Sequence, residues 1–140
     1  MKDIFSIILR EKLEDSREPT GIKSKQLELI NNSNPAPNSY NTWIRNLSDI
    51  KTAREAFENA KVEGNMYPDF TVKDMEEALS KGEILVYSSY PIKNGVFVSP
   101  SKMNAQDYAG GKNNKLYSKI VKLNDIAWID ESEGQYAKIS

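Results

Sequence analysis

The hydrophobic period of this chain changes once, and that change constrains the fold more than any other feature. Up to Gly82, apolar residues recur at three-to-four spacing, as on amphipathic helices. From Ile84 onward they come in short runs rich in strand formers. Helices followed by strands, rather than alternating with them, predict an α+β fold with a mostly antiparallel sheet. At 140 residues, the expectation is one domain over 1–140, helical over 1–82 and strand-rich over 83–140.

In the first half, Ile4, Phe5, Ile8, Leu9 and Leu13 mark a helix over 3–14. Asp15-Ser16 and Pro19-Thr20-Gly21 break it. Residues 24–31 predict a short helix with Ser24 as N-cap and Leu27 and Ile30 facing inward. A polar loop rich in Asn and Pro follows, and Tyr40, Trp43 and Ile44 read as a cluster anchoring it to the core. Ser48-Asp49 opens a helix to about Val62 that buries Ile50, Ala53, Phe57 and Ala60 and stops at Gly64-Asn65. Thr71, with Asp74 three residues on, forms a capping box. Val72, Met75 and Leu79 make that helix's inner stripe, and Gly82 takes the left-handed position at its end.

In the second half, residues 84–87 read as a strand covered on both faces. Pro91 to Gly95 makes a turn, and residues 96–98 form the next strand. Ser99-Pro100 predicts an N-cap and first helical residue for a helix over 100–109. Gly110 to Asn114 is a loop. Three strands are expected after it, over 116–123, 126–129 and 136–139. The last two flank the carboxylates Asp130, Glu131 and Glu133.

Absences restrict the chemistry. A formal charge of −1 gives no general attraction to nucleic acid or acidic membrane. No apolar run is long enough for a spanning helix. The apolar FSIIL stretch, held between Asp3 and Arg10, is too short and too charged for a secretion signal. A cytoplasmic protein is expected. Without Cys there is no disulfide, thiolate nucleophile or Cys-based zinc site. Without His there is no Ser-His-Asp catalysis and no ordinary near-neutral proton shuttle. Chemistry falls to carboxylates, Lys, Tyr, Ser and Thr. No metal is expected, since the acidic turn lacks a spaced calcium-ligand loop.

Several stretches carry a resemblance: Val86-Tyr87-Ser88, then Gly95 to Ser101, Ala105 to Tyr108, Tyr117 to Val121, Asp125 to Trp128, and Glu133 to Tyr136. In this order they resemble the ADP-ribosyltransferase-like superfamily, and more closely its small phage and mobile-element members of the polyvalent-protein type. The resemblance implies a split antiparallel sheet with helices packed on it, NAD as the bound dinucleotide, and transfer of ADP-ribose to a bacterial host protein. Glu131-Ser132-Glu133 is similar to the family's acidic turn, which makes Glu133 the catalytic carboxylate and Glu131 its helper. Ser99 and Ser101 stand where the serine turn belongs, and Tyr108 or Tyr117 would stack on nicotinamide. Where the family carries Arg on the first strand, this chain has Ser88, so Lys93 or Lys102 would have to meet the phosphates. A carboxylate in this role steadies the positive charge that grows on ribose as its bond to nicotinamide breaks.

Plainer readings stand beside these. Asp130 to Glu133 can be a charged hairpin turn, Ser99 a cap alone, and the tyrosines core or edge aromatics. Lys112, Lys115, Lys119 and Lys122 then form solvated faces. Lacking the family's Arg, the chain could also be an inert relative that inhibits a host defence effector, in the manner of an anti-CRISPR protein. A third reading is an accessory domain of a larger phage protein.

Overall fold

The computed structural model describes residues 22–33, 44–111 and 114–139. The helix expected over 3–14 lies outside them, as do Tyr40, Trp43 and Lys112. Four helices are described: α1 over 22–32, α2 (Ala53–Glu63), α3 (Val72–Lys81) and α4 (Lys102–Ala109). Five strands accompany them: β1 (Glu83–Ser88), β2 (Phe97–Val98), β3 (Tyr117–Lys122), β4 (Ile126–Asp130) and β5 (Glu133–Tyr136). Every strand pair is antiparallel, and the fold is α+β. Among the described residues no helix is long and apolar enough to cross a membrane.

The sheet is in two parts. β1 pairs with β3 from Glu83↔Lys122 to Ser88↔Tyr117. The other part has the order β2-β5-β4. A single bridge joins them: the Tyr87 N–H donates to the Ser99 carbonyl at 2.8 Å, and the Ser99 N–H returns a bond at 2.9 Å. One face of both parts supplies the larger core, with Val86, Val98, Val121, Ile126 and Trp128 against Phe57 of α2 and Met75 of α3. Phe57 meets Phe70 and Trp128 edge-on, at 5.8 and 5.3 Å between ring centres. On the opposite face Ala127 and Ala137 pack with Ile30 of α1, Ile44 and Ile50.

Local chemistry places most of the ends. The Thr71 Oγ1 accepts from the Asp74 N–H, while Asp74 Oδ2 accepts from the Thr71 N–H, which closes the expected capping box. Gly82 ends α3 at φ 74°. Leu27 is half-buried and Ile30 buried, both on the expected face, but α1 already runs at residue 22, so Ser24 lies inside it.

Four further expectations are corrected. α2 starts at Ala53 rather than Ser48: Leu47–Asp49 forms a separate 3-10 turn, Lys51 pairs its backbone with Trp128, and Thr52 caps α2 through a box with Glu55. β1 is covered on one face only, since Leu85 stays 44% exposed. Ser101, not Ser99, caps α4, accepting from the Asn104 N–H at 3.0 Å. The last strand is Glu133–Tyr136 rather than 136–139. Its Gly134 packs so closely on β4 that a Cβ would lie 2.5 Å from Ile126 Cγ2 and 2.7 Å from the Ala127 carbonyl oxygen.

Candidate functional site

Glu131 and Ser132 form a two-residue turn between β4 and β5, and Asp130 and Glu133 face each other across it. Like charges directly opposite on paired strands repel. The Asp130 carboxylate is held by the turn: Oδ1 accepts from the Ser132 N–H and from its hydroxyl, both at 2.8 Å. β2 pairs Val98 with Gly134. One further step in that register sets Ser99 opposite Glu133. The bridge to Tyr87 puts Ser99 at the seam of the two sheet parts.

Around the turn lies a hydrogen-bond network centred on buried Asn104 of α4. Its Nδ2 donates to the Ser132 carbonyl at 3.0 Å and to Ser99 Oγ at 3.3 Å. Its Oδ1 accepts from the Tyr67 hydroxyl at 2.9 Å. Ser101 Oγ donates to Asp69 Oδ1 at 2.7 Å, and Asp69 Oδ2 accepts from the Met103 N–H at 3.0 Å. Asn104 therefore ties the 65–70 connector, the start of α4 and the acidic turn into one unit. Buried polar groups of this kind position their neighbours because leaving one unpaired is costly.

The Glu133 carboxyl sits beside that unit, half-buried. Burial raises its pKa first, the Asp130 charge raises it further, and the Tyr108 hydroxyl, donating at 3.4 Å, lowers it slightly; the outcome is about 7. Burial also raises the phenols of Tyr67 and Tyr108. For Tyr67 the carboxylates of Asp107, Glu133, Asp130 and Asp69 add to the effect, and for Tyr108 it is chiefly Glu133 that does so. No lysine or arginine side chain hydrogen-bonds to Glu133 among the described residues.

Of the residues expected to form a site, the structure brings together Glu133, Ser99, Ser101 and Tyr108. Tyr108 is 59% exposed at the rim. The other three are placed elsewhere. Glu131 is buried, and its Oε2 accepts the Met66 N–H at 2.7 Å, a fixed structural bond. Ser88 neighbours the bridge residue Tyr87 along β1 and so points to the opposite sheet face from Ser99; it is buried and accepts from the Tyr90 N–H. Tyr117 is paired with Ser88 on that far face, with the Lys115 ammonium 4.7 Å from its ring centre. Lys93 and Lys102 are exposed and make no ion pair among the described residues.

No protein-family model, curated protein or solved structure matches this chain.

A dinucleotide brings a pyrophosphate, which cationic side chains or converging backbone N–H groups hold. The described residues around Glu133 offer carboxylates, phenols, an amide and hydroxyls. A pyrophosphate beside Glu133 would meet the like charge of Asp130. The amide, hydroxyls and phenols there can hydrogen-bond a neutral or cationic group. Asn104, Tyr67 and Asp69 were invisible to pattern reading because nothing in their spacing distinguishes them from surface polar residues.

The raised Glu133 pKa has a consequence for stability. Folded, the carboxyl keeps its proton up to about pH 7; unfolded, it releases it near the ordinary value of 4.5. Stability is therefore greatest below 4.5 and falls as pH rises through that window. Glu133→Gln, which mimics the protonated form, is expected to leave stability nearly unchanged at the acid end. Above neutrality it should stabilise by about 1–2 kcal/mol after allowance for partial solvent screening. Urea unfolding of both proteins across pH reads this directly; parallel curves would remove the buried carboxyl from the account.

Proposed function

We propose that this chain is a phage or mobile-element protein with an ADP-ribosyltransferase-like fold that works by binding a protein of its bacterial host, without consuming NAD. Inhibition of a host defence effector, in the manner of an anti-CRISPR protein, is the activity that follows. The observation that carries the reading is the surroundings of Glu133: the like-charged Asp130 faces it across the turn, and the described side chain hydrogen-bonded to it is the Tyr108 phenol, not a cation. Glu131 is already committed to the Met66 N–H, which leaves the helper role without a free carboxylate. The rigid network around Asn104 suits recognition, since a partner then orders little on binding.

The test is a thermal shift with NAD, because a ligand held by the native state must raise its melting temperature. The expected result is no shift at millimolar NAD for wild type and Glu133→Gln alike, and no release of nicotinamide by either. A shift with wild-type protein, together with nicotinamide release that Glu133→Gln abolishes, would overturn the reading and make the chain a transferase of ADP-ribose.

A further inference from the structure

Where the two parts of the sheet diverge, the first half of β1 has β3 on one side, while on its other side only Tyr87 is bridged to Ser99. The gap is an open groove of about 260 Å³. That is smaller than the pockets that enclose whole cofactor-sized ligands, and large enough for one or two side chains. Its floor is apolar: Phe70, Ala78, Leu85, Tyr87 and Pro100. Its rim is acidic, with Asp69, Asp74, Glu77 and Glu83 against the single ammonium of Lys81. Lys81 is 3.4 Å from Glu77 and exposed, so it offsets one carboxylate. Asp69 and Asp74 are held by hydrogen bonds to Ser101 and Thr71. Lys122 stands across from Glu83 on β3 and is not part of the rim.

The floor continues onto open surface. Leu85 and Ile120 are cross-strand partners, and on the outer face of β1 and β3 they stay 44% and 63% exposed. Exposed apolar side chains beside a rim in which acidic groups outnumber basic ones suit a contact surface. We infer that this groove and the Leu85–Ile120 pair form a docking site for a short segment of a partner protein, one that carries apolar side chains flanked by Lys or Arg. The apolar side chains fill the floor over Leu85 and Tyr87. The basic groups meet the rim, where the carboxylates of Asp69, Asp74, Glu77 and Glu83 outnumber the ammonium of Lys81. This inference rests on the binding reading above and names the chemistry of the partner.

The test uses the full chain and two synthetic peptides, one with two leucines between pairs of Lys and Arg, the other with Glu and Asp in place of the basic residues. Amide NMR follows the titration. The basic peptide is expected to shift the signals of Ala78, Leu85, Tyr87 and Ile120 and to weaken as salt is raised. The acidic peptide is expected to shift nothing. Leu85→Ser and the pair Glu77→Lys with Glu83→Lys are each expected to weaken binding roughly tenfold. The inference is overturned by shifts centred elsewhere, by equal binding of the acidic peptide, by no binding of either, or by self-association of the free chain through Leu85. The wild-type shift map decides the matter even if a variant unfolds. Failure here with NAD still unbound removes only the groove, whereas NAD binding removes the underlying reading.

Discussion

Gly134→Ala is expected to destabilise the protein by about 3 kcal/mol or more, the upper end of what overpacking a well-filled interior costs. The added Cβ would lie 2.5 Å from Ile126 Cγ2, 2.7 Å from the Ala127 carbonyl oxygen and 3.1 Å from Trp128 Cα. Two of these are backbone atoms of β4, or part of the same ladder, and cannot rotate away. Relief requires β5 to lift from β4, which moves the turn that carries Glu133. Urea unfolding should show a large fall in midpoint, and the signals of Asp130 and Glu133 should move even where the chain stays folded. A variant with wild-type stability and an unmoved turn would mean that the close β4–β5 approach is not needed.

Asn104→Ala is the second large effect. Three hydrogen bonds disappear: Nδ2 to the Ser132 carbonyl, Nδ2 to Ser99 Oγ, and the Tyr67 hydroxyl to Oδ1. Asn104, Ser99 and Ser132 are buried, so water replaces these partners poorly, and the summed cost is roughly 2–4 kcal/mol. A purely structural role would lower the melting temperature and nothing else. Here the Glu133 titration should also shift towards the ordinary value, because the turn loses the side chain that holds it beside α4. An unchanged Glu133 titration in a destabilised but folded Asn104→Ala protein would separate the network from the acidic turn.

Much of the scaffold was legible in the residues, and the parts that were not share a cause. The box of Thr71 with Asp74, the stop at Gly82 and the change of period at Ile84 are local, and local rules placed them. The start of α2 was not, because the backbone of Lys51 is claimed by Trp128 far along the chain, a pairing no nearby residue announces. The last strand was shifted because Glu133-Gly134-Gln135-Tyr136 has no apolar run. It is a strand through its position between β2 and β4, not through propensity. The serine turn shows the same limit: both serines suit a cap, and only the reach of Ser101 to Asp69 and to the Asn104 N–H decides between them.

The acidic turn was visible as a motif, but its two glutamates part company on folding. Glu131 turns inward to the Met66 N–H, and Glu133 faces Tyr108 and the seam. The spacing of two carboxylates says nothing of such a division, which is made by the tight turn and by what packs on each side of it. Tyr87 likewise lies on the Ser99 side of the sheet while Ser88 does not, a consequence of strand alternation once the bridge to Ser99 fixes the register.

Glu133 is half-buried, faces Asp130 across the turn and hydrogen-bonds the Tyr108 phenol. Carbon NMR titration of its side-chain carboxyl measures that environment. The expected midpoint is about 7, moving down in Asp130→Asn as the facing charge is removed. A midpoint at or below the ordinary 4.5, unmoved by Asp130→Asn, would show a solvated or cation-paired carboxylate and contradict the central claim.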